Sequence, residues 1–466
     1  MGSEFYGLEI AKKTLQAQQL AMNISGHNIA NSNTVGYTRQ VPKFVQQTSS
    51  PIGFFTLPYI KNVSSGVTLE EVQRIRDRYI DLQIRQESRR GAYWTALDKG
   101  LEQIELIFGE PDESGLSGIF DSFWNTWQEL AAAPESSAAR VLVSETANLL
   151  AKAFNDTYNR LENQQVQINE EIAIKVAEAN NYLQQIYDLN HQIVRLGAAG
   201  GNINDYRDQL DVLVDKLSQI LNVQIKDNDN GTYTLVLQGQ ILANSETKSE
   251  LSLGTDPVTG FYTVSLGTSG EELNLSSQDG ELRALFDLRD GSLGEYKGYL
   301  DRLASDLMNA INALHQTGYT LEEPPTKGDV FFTGSGAVDM AVNPAILADE
   351  RQIAASSTGA AGDGEIALAI AELRGAKIID GASATPDDYY RGFVSRLGTQ
   401  RNEVNRLVSN QKLLVEELEA RKESVSGVSL DEEMTNLIKY QHTYEAASFL
   451  VNTINGMLET LISWTR

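Results

Sequence analysis

The spacing of apolar residues predicts that most of this chain is helical. Large apolar side chains recur every three or four residues over long stretches, which is the period of an α-helix. The predicted helices cover, in approximate bounds, residues 69–108, 119–130, 138–196, 205–221, 279–315 and 387–422. In the third of them, the stripe from Ile172 to Ile193 steps by four and three residues in turn, which is coiled-coil spacing. That helix would span about 90 Å if it is unbroken.

Two stretches follow a different pattern and predict β-structure. From 223 to 275 the chain is rich in Thr, Val, Leu and Tyr, with alternation of apolar and polar residues. Turn sequences at Asp229-Asn230-Gly231 and at 256–260 predict two hairpins there. A second, more irregular β-like stretch runs from 324 to about 364. Because helical sequence lies between and around the two, the β-rich part is an insertion.

These patterns predict a mainly α fold with an inserted β-rich domain. The long helices are expected to form an elongated antiparallel rod, with the N- and C-terminal helices paired as a coiled coil. We divide the chain into three parts. They are a terminal coiled-coil assembly domain (1–40 plus 425–466), a helical rod domain (41–222 plus 280–318 plus 365–424) and a β-rich outer domain (223–279 plus 319–364).

Both ends of the chain carry apolar stripes at coiled-coil spacing. At the N-terminus, large apolar residues recur every seven positions, at Leu8, Leu15, Met22 and Ile29. At the C-terminus, an unbroken three-four repeat holds Leu437, Tyr440, Tyr444, Ala447, Val451, Ile454, Leu458 and Leu461. Either the two ends form a helical hairpin on one molecule, or they pack against neighbouring copies. The thin N-terminal stripe favours neighbouring copies, because a hairpin would place polar Gln18 against its partner. These residues, Ala447 excepted, are the candidate assembly interface.

Charge and composition disfavour several classes of partner. Lys and Arg number 38 and Asp and Glu 63, a net charge of −25 at pH 7, which disfavours nucleic acid and anionic lipid. The first hundred residues hold 12 basic and 8 acidic side chains, so this part is expected to face a partner. No run of about 18 uncharged apolar residues is present, and we predict no membrane insertion. Lys12 and Lys13 argue against a cleavable signal peptide. The sequence leaves open whether Met1 to Phe5 are native.

No segment presents a convincing reaction centre, and the chain is predicted not to be an enzyme. The absence of cysteine excludes disulfides, thiolate metal sites and thiol nucleophiles. The acidic run that starts at Asp227 lacks the ligand spacing of a calcium loop, and a hairpin turn is preferred. The four histidines are too far apart for a metal-spaced pair. Phe123, Trp124 and Trp127 could stack a sugar, but their helical spacing favours core packing. We predict no cofactor, metal or catalytic residue.

Motifs at both ends and in the interior resemble one protein family. The run from Asn28 to Arg39 resembles the N-terminal signature of bacterial flagellar rod, hook and hook-associated proteins, and 428–447 resembles their C-terminal motif. In the interior, 113–116, 123–124, 130–135, 342–349 and 353–359 resemble the flagellar hook-associated protein 1 family of the hook–filament junction. The resemblance is weakest over 223–275. It marks Asn28, Asn31, Asn33, Gly36 and Tyr37 as a terminal motif. Because Asn and Gly tolerate the left-handed conformation, this motif is expected to end the first helix and turn the chain sharply.

The resemblance implies a structural, self-assembling protein that is secreted through the flagellar type III apparatus. Such proteins form a homo-oligomeric ring that joins hook to filament on the extracellular flagellum. The implied partners are other copies, the hook protein, a second junction protein and a cytoplasmic export chaperone on the C-terminal helix. Three alternatives stay open. They are another flagellar axial protein (hook or distal rod), a glycan-acting enzyme that uses the β-rich insert, and a cytoplasmic helical scaffold.

Overall fold

The chain folds mainly into helices, as the sequence predicts. A computed structural model describes residues 2–46, 66–109, 115–267, 272–273, 275 and 280–464, with side chains from residue 7 onward. Its helices are α1 (Gly2–Ala30), α2 (Arg78–Phe108), α3 (Leu116–Ala132), α4 (Ser137–Ala198), α5 (Asn204–Ile220), α6 (Glu281–Phe286), α7 (Leu293–His315), α8 (Pro344–Ala348), α9 (Glu365–Glu372), α10 (Pro386–Ser426) and α11 (Leu430–Trp464). A π-helical turn, Asp287–Ser292, joins α6 to α7. None of the helices in these ranges is long and apolar enough to cross a membrane.

Small antiparallel sheets account for the β-structure of the described ranges. Their strands are β1 (Gln40–Gln46), β2 (Val67–Arg74), β3 (Gln224–Asp227), β4 (Tyr233–Leu237), β5 (Gln240–Ala243), β6 (Leu251–Thr255), β7 (Tyr262–Leu266), β8 (Phe332–Thr333) and β9 (Ala341–Val342). The orders are β1-β2, β3-β4-β5, β6-β7 and β8-β9. Both predicted hairpin turns are confirmed, since Gly231 and Gly260 adopt positive φ between paired strands. Met1, residues 47–65, residues 113–114 of the quoted motif and parts of 268–279 lie outside the described residues.

One predicted helix begins too early. The spacing of Leu69, Val72, Ile75 and Tyr79 imitates a helical period, but the first two belong to strand β2 and the helix begins at Arg78. β2 pairs with β1, which places Gln40 opposite Arg74. A partner strand so far away in sequence leaves no trace in local periodicity, so the prediction of helix from residue 69 is wrong at its start.

The chain divides into two compact units. The first comprises Met1–Ser88, Ala179–Glu250 and Lys412–Arg466, and the second Arg89–Glu178 and Leu251–Gln411, as far as these ranges are described. The first unit contains α1, α5, α11 and β1–β5, and the second contains α3, α6–α9 and β6–β9. The three-part division of the sequence stays a prediction.

The second unit has an aromatic core around α3. Phe123, Trp124 and Trp127 are almost fully buried, and the ring of Trp127 packs 5.1 Å from that of Phe331. The prediction that these rings pack in a core is therefore confirmed, and they are not accessible to a sugar. This burial follows from the spacing of the rings, which places them on one side of a short amphipathic helix.

A neutral histidine is buried at the end of α7. His315 Nε2 accepts a hydrogen bond from the backbone N–H of Ala354 at 2.8 Å, so the ring proton lies on Nδ1, which is 2.6 Å from the Asp329 carbonyl oxygen. Burial lowers the pKa of His315 to about 4, against the opposing hydrogen bond to Asp329. The imidazole is therefore uncharged in the folded protein at neutral pH.

Candidate assembly surface

The two terminal helices pack against each other within one chain. A Cβ on Gly7 would lie 3.2 Å from Ile454 Cδ1, and Arg39, beyond the end of α1, bonds to Glu433 in the first turn of α11. These two contacts show that α1 and α11 run antiparallel. Of the two interpretations of the end stripes, pairing within one molecule is thus present. The coiled-coil geometry of the pair and the roles of the interface residues stay predictions.

Small side chains form the most buried positions of α1. Ala11, Ala17, Ala21 and Ser25 are almost fully buried. The predicted stripe of Leu8, Leu15, Met22 and Ile29 is half-buried. The spacing of large apolar side chains does not reveal this row of small residues, which permits a close approach of the helix axes. The stripe itself keeps apolar area that this one chain leaves uncovered.

On α11 the predicted stripe is covered for most of its length. Leu437, Tyr440, Tyr444, Val451 and Leu458 are half-buried and Ile454 is buried, whereas Leu461, near the helix end, is exposed. The ring of Tyr440 lies 6.5 Å from that of Phe44 on β1. The stripe thus faces the chain's own body as far as Leu458.

A second apolar row on α11 lies open to solvent. We call it the outer face, and its members are Met434, Ile438, Phe449, Leu450, Met457 and Trp464. Phe449 is 74% exposed and Trp464 83% exposed. At 3.6 residues per turn, Met434, Ile438 and Phe449 lie on the side of α11 opposite the predicted stripe, and Leu450, Met457 and Trp464 lie on the adjoining flank. Its residues are apolar in the sequence, but they lack the regular three-four spacing that marks the predicted stripe. An apolar face of this extent on a long helix is typical of an interaction site.

The terminal motif returns the chain from α1 to the first sheet. The side-chain amide of Asn28 donates to the Gln40 carbonyl at 2.8 Å, and its Oδ1 accepts the Gln40 N–H at 3.0 Å. The hydroxyl of Tyr37 donates to the same Oδ1 at 2.7 Å. Burial, and then the nearby Asp205, raise the pKa of Tyr37, so this hydroxyl keeps its proton. The end of α1 is therefore held by side chains of the motif itself.

Only one member of the motif uses the left-handed conformation. α1 ends at Ala30, and Gly36 has φ +82°, where a Cβ would come within 2.2 Å of Val212 Cγ2 on α5. Asn31 donates through its side chain to the His27 carbonyl at 3.0 Å, and Asn33 is exposed. The first helix ends where the motif begins, but no asparagine in this part of the described chain has positive φ, so the left-handed tolerance of asparagine is not used. The side chains of Asn28 and Asn31 make hydrogen bonds instead, and Gly36 alone among the motif residues has positive φ.

A buried ionic cluster on α5 supports the segment that follows the motif. Asp208 accepts the backbone N–H of Thr38 at 3.0 Å and pairs with Arg74 at 3.0 Å. Next to it, Asp211 contacts the guanidinium groups of Arg74, Arg76 and Arg85.

The cations of this cluster determine the charge state of Asp211. Burial acts to raise its pKa, but the guanidinium groups of Arg76, Arg74 and Arg85 outweigh burial and lower the pKa to about 2. The carboxylate is therefore charged at all ordinary pH values. The arginine partners of Asp211 lie 126 to 137 residues away in the chain, so local periodicity gives no sign of this cluster.

The site contains packing surfaces and ion pairs. Within the described ranges, no group of three or more His, Asp or Glu side chains is placed to hold a metal ion. This arrangement can bury apolar area. The outer face and the half-buried stripes present side chains that a complementary helix would remove from water.

Comparison with known proteins links both ends and the interior to flagellar components. A family model described as the flagellar hook-associated protein FlgK helical domain matches residues 101–332. Models of the flagella basal body rod protein and of the flagellar basal body rod FlgEFG protein C-terminal match residues 8–38 and 423–463. The last two ranges take in most of α1 and α11.

Full-length relatives share one name. Flagellar hook-associated protein 1 of Bacillus subtilis is 32% identical, with coverage of 99% of this chain and 99% of the relative. The proteins of the same name from Salmonella typhimurium and Escherichia coli are 27% identical, and each covers 97% of this chain and 98% of its own. A solved structure, of the flagellar hook junction protein FlgK from Burkholderia pseudomallei, has a TM-score of 0.63 at 16% identity. It covers 74% of this chain and 100% of its own, and at that identity it indicates a shared fold.

Proposed function

Because this chain belongs to the flagellar hook-associated protein 1 family, we propose that it is a structural, self-assembling protein that joins hook to filament in a bacterial flagellum. The observation that carries the proposal is the outer face of α11, an apolar row that its own chain leaves exposed. Hook and distal-rod proteins are weaker candidates, because the FlgK helical-domain model matches 101–332 in the interior. None of the relatives named above is an enzyme by name.

The outer face supports self-assembly in energetic terms. Full burial of one large apolar side chain contributes on the order of 1.5–3 kcal/mol. The six members are already partly covered, so burying the rest would contribute roughly 1 kcal/mol each, or about 6 kcal/mol before entropy is subtracted. A ring multiplies this contribution, since each copy has two neighbours. Isolated subunits would then stay separate while closed rings persist.

We also propose the partners and the location that follow from this role. The ring would lie on the extracellular flagellum between the hook protein and a second junction protein, after export through the flagellar secretion apparatus. Before export, an exposed face with Phe449 and Trp464 is an aggregation hazard. A cytoplasmic chaperone on the C-terminal helix would cover it.

Replacement of one outer-face residue tests the proposal. Phe449→Glu places a charge in the centre of the outer face without touching the buried side of α11. In cells that lack the native protein, we expect hooks without filaments and loss of swimming, with normal amounts of soluble protein. Val258→Glu is the matched control, since Val258 is 90% exposed in a turn of the second unit. If the Phe449 variant attaches filaments as well as the control does, the outer face is not an assembly surface.

A further inference from the structure

The pairing of α1 with α11 poses a problem of register. The apolar repeat of α11 looks nearly the same after a shift of seven residues, because Leu437, Tyr444, Val451 and Leu458 follow one another at that interval. Small residues on α1 accept many partners. A heptad slip would therefore lose little apolar contact, and something other than the stripe must select one register.

One buried carboxylate is the exception to this repeat. Only Glu433, Ala447 and Ile454 are buried in the described part of α11, and Glu433 is 1% exposed. Its Oε1 accepts from Arg39 Nε at 2.8 Å. The same guanidinium pairs with Glu432 at 2.7 Å, but Glu432 is exposed. A buried charge is tolerated only where its partner is in place.

The partner of Glu433 is held at a definite position. The backbone N–H of Arg39 donates to the Ser426 carbonyl at 3.0 Å, and its carbonyl accepts the Ile75 N–H at 2.9 Å. Arg39 is thus tied to the end of α10 and to the segment after β2. A heptad slip of α11 would bring Tyr440 to this position in one direction, or Ser426 from the end of α10 in the other, and leave a guanidinium and a carboxylate apart.

We propose that the Arg39–Glu433 pair sets the register of α11 against α1. The stripe provides the apolar contact, and the pair decides which of several similar alignments forms. Because the register determines where the outer face lies along the helix pair, it also determines the surface offered to any partner. The inference concerns a single chain and does not depend on what that chain assembles with.

Disulfide trapping in the cysteine-free chain tests the register directly. Gly7→Cys with Ile454→Cys reports the native alignment, since these residues are in contact. Gly7→Cys with Leu461→Cys, or with Ala447→Cys, reports a slip of one heptad in either direction. The dilute full-length protein is oxidised, and intramolecular products are separated by size and identified by mass. The parent chain should form the native disulfide and only traces of the slipped ones.

Replacing the buried carboxylate should release the register. Glu433→Leu continues the apolar repeat, so α11 stays helical, but it removes the charge. The slipped disulfides should rise roughly tenfold or more, as expected for loss of a charge-assisted hydrogen bond. Glu432→Leu, which removes the exposed partner of the same guanidinium, should leave the distribution unchanged. If Glu433→Leu keeps its helix and still forms only the native disulfide, the pair does not set the register.

A charge exchange covers the case in which Glu433→Leu does not fold. Arg39→Glu with Glu433→Arg restores opposite charges at the same place, and Glu432→Gln removes the repulsion that the exchange would create. Return of the native disulfide as the main product supports the proposal. A mixture of native and slipped disulfides in this variant, or failure to fold, would overturn it.

Discussion

Replacing Gly36 should destabilise the first unit far more than an otherwise equivalent change. Two separate costs act at this position. The backbone has φ +82°, where an alanine costs about 1–2 kcal/mol relative to its usual conformations. The new methyl group would also lie 2.2 Å from Val212 Cγ2, well inside contact distance. Because Val212 lies on helix α5, where valine has one strongly preferred rotamer, it cannot turn away without strain.

The size of the second cost can be isolated with a matched glycine. Gly239 has φ +83° in the turn between β4 and β5, and a Cβ there would meet nothing within 4 Å. It belongs to the same unit, so both variants report on the same unfolding transition. Gly239→Ala should cost about 1 kcal/mol. Gly36→Ala should cost a further 1–3 kcal/mol, roughly, from the overlap with Val212.

Chemical denaturation followed by far-ultraviolet circular dichroism measures both costs. Val212→Ala in the Gly36→Ala background should recover most of the difference between the two glycine variants, although on its own it destabilises. Equal losses for Gly36→Ala and Gly239→Ala would refute the overlap. Failure of Val212→Ala to restore stability would show that the cost lies elsewhere.

Three further predictions rest on side chains described above. His315→Gln should flatten the acid dependence of the free energy of unfolding. The native protein binds a proton at this site only near pH 4, whereas the unfolded chain binds one near pH 6.5. The stability that comes from the neutral ring is therefore full above pH 6.5 and is lost toward pH 4. Between pH 7 and pH 5 the native chain should lose about 2 kcal/mol more than the variant, and parallel pH profiles would contradict this. Asp211→Asn should lower the free energy of unfolding, measured in urea, by about 3–5 kcal/mol. Asp215→Asn, on the rim of the same cluster, should lower it much less. Similar losses in both variants would mean that the cluster is not electrostatically centred on Asp211. Tyr37→Phe should cost about 1 kcal/mol, measured in the same way, and an unchanged midpoint would remove its hydroxyl from the support of α1.

The sequence predicted features that depend on neighbouring residues. The 62-residue helix α4 follows from a long periodic stretch without proline, and the turns at Gly231 and Gly260 follow from local turn chemistry. The core position of Trp127 follows from helical spacing. In each case the interactions that decide the structure lie within a few residues, where periodicity and turn preference act.

Features that depend on distant residues were not predictable in this way. The spacing in strand β2 imitates a helix, and the partner strand β1 that makes it a strand is remote in the chain. Arg74 likewise meets Asp211 across 137 residues. The outer face of α11 was missed for another reason. When a helix carries apolar residues on two sides, the more regular repeat is the easier one to recognise in the sequence. Only the packing shows which of the two sides is buried against the same chain.

The hydrogen bonds of Asn28 have a consequence for how this position can vary. Its side chain acts as a detached peptide group, giving one proton to Gln40 and receiving one from it, as a neighbouring strand would. An aspartate has no proton to give, a leucine of the same shape neither gives nor accepts, and a glutamine is one methylene too long for the same geometry. Of the twenty amino acids, asparagine alone matches both halves of the exchange. The range of amino acids accepted at position 28 should therefore be far smaller than is usual at the end of a helix.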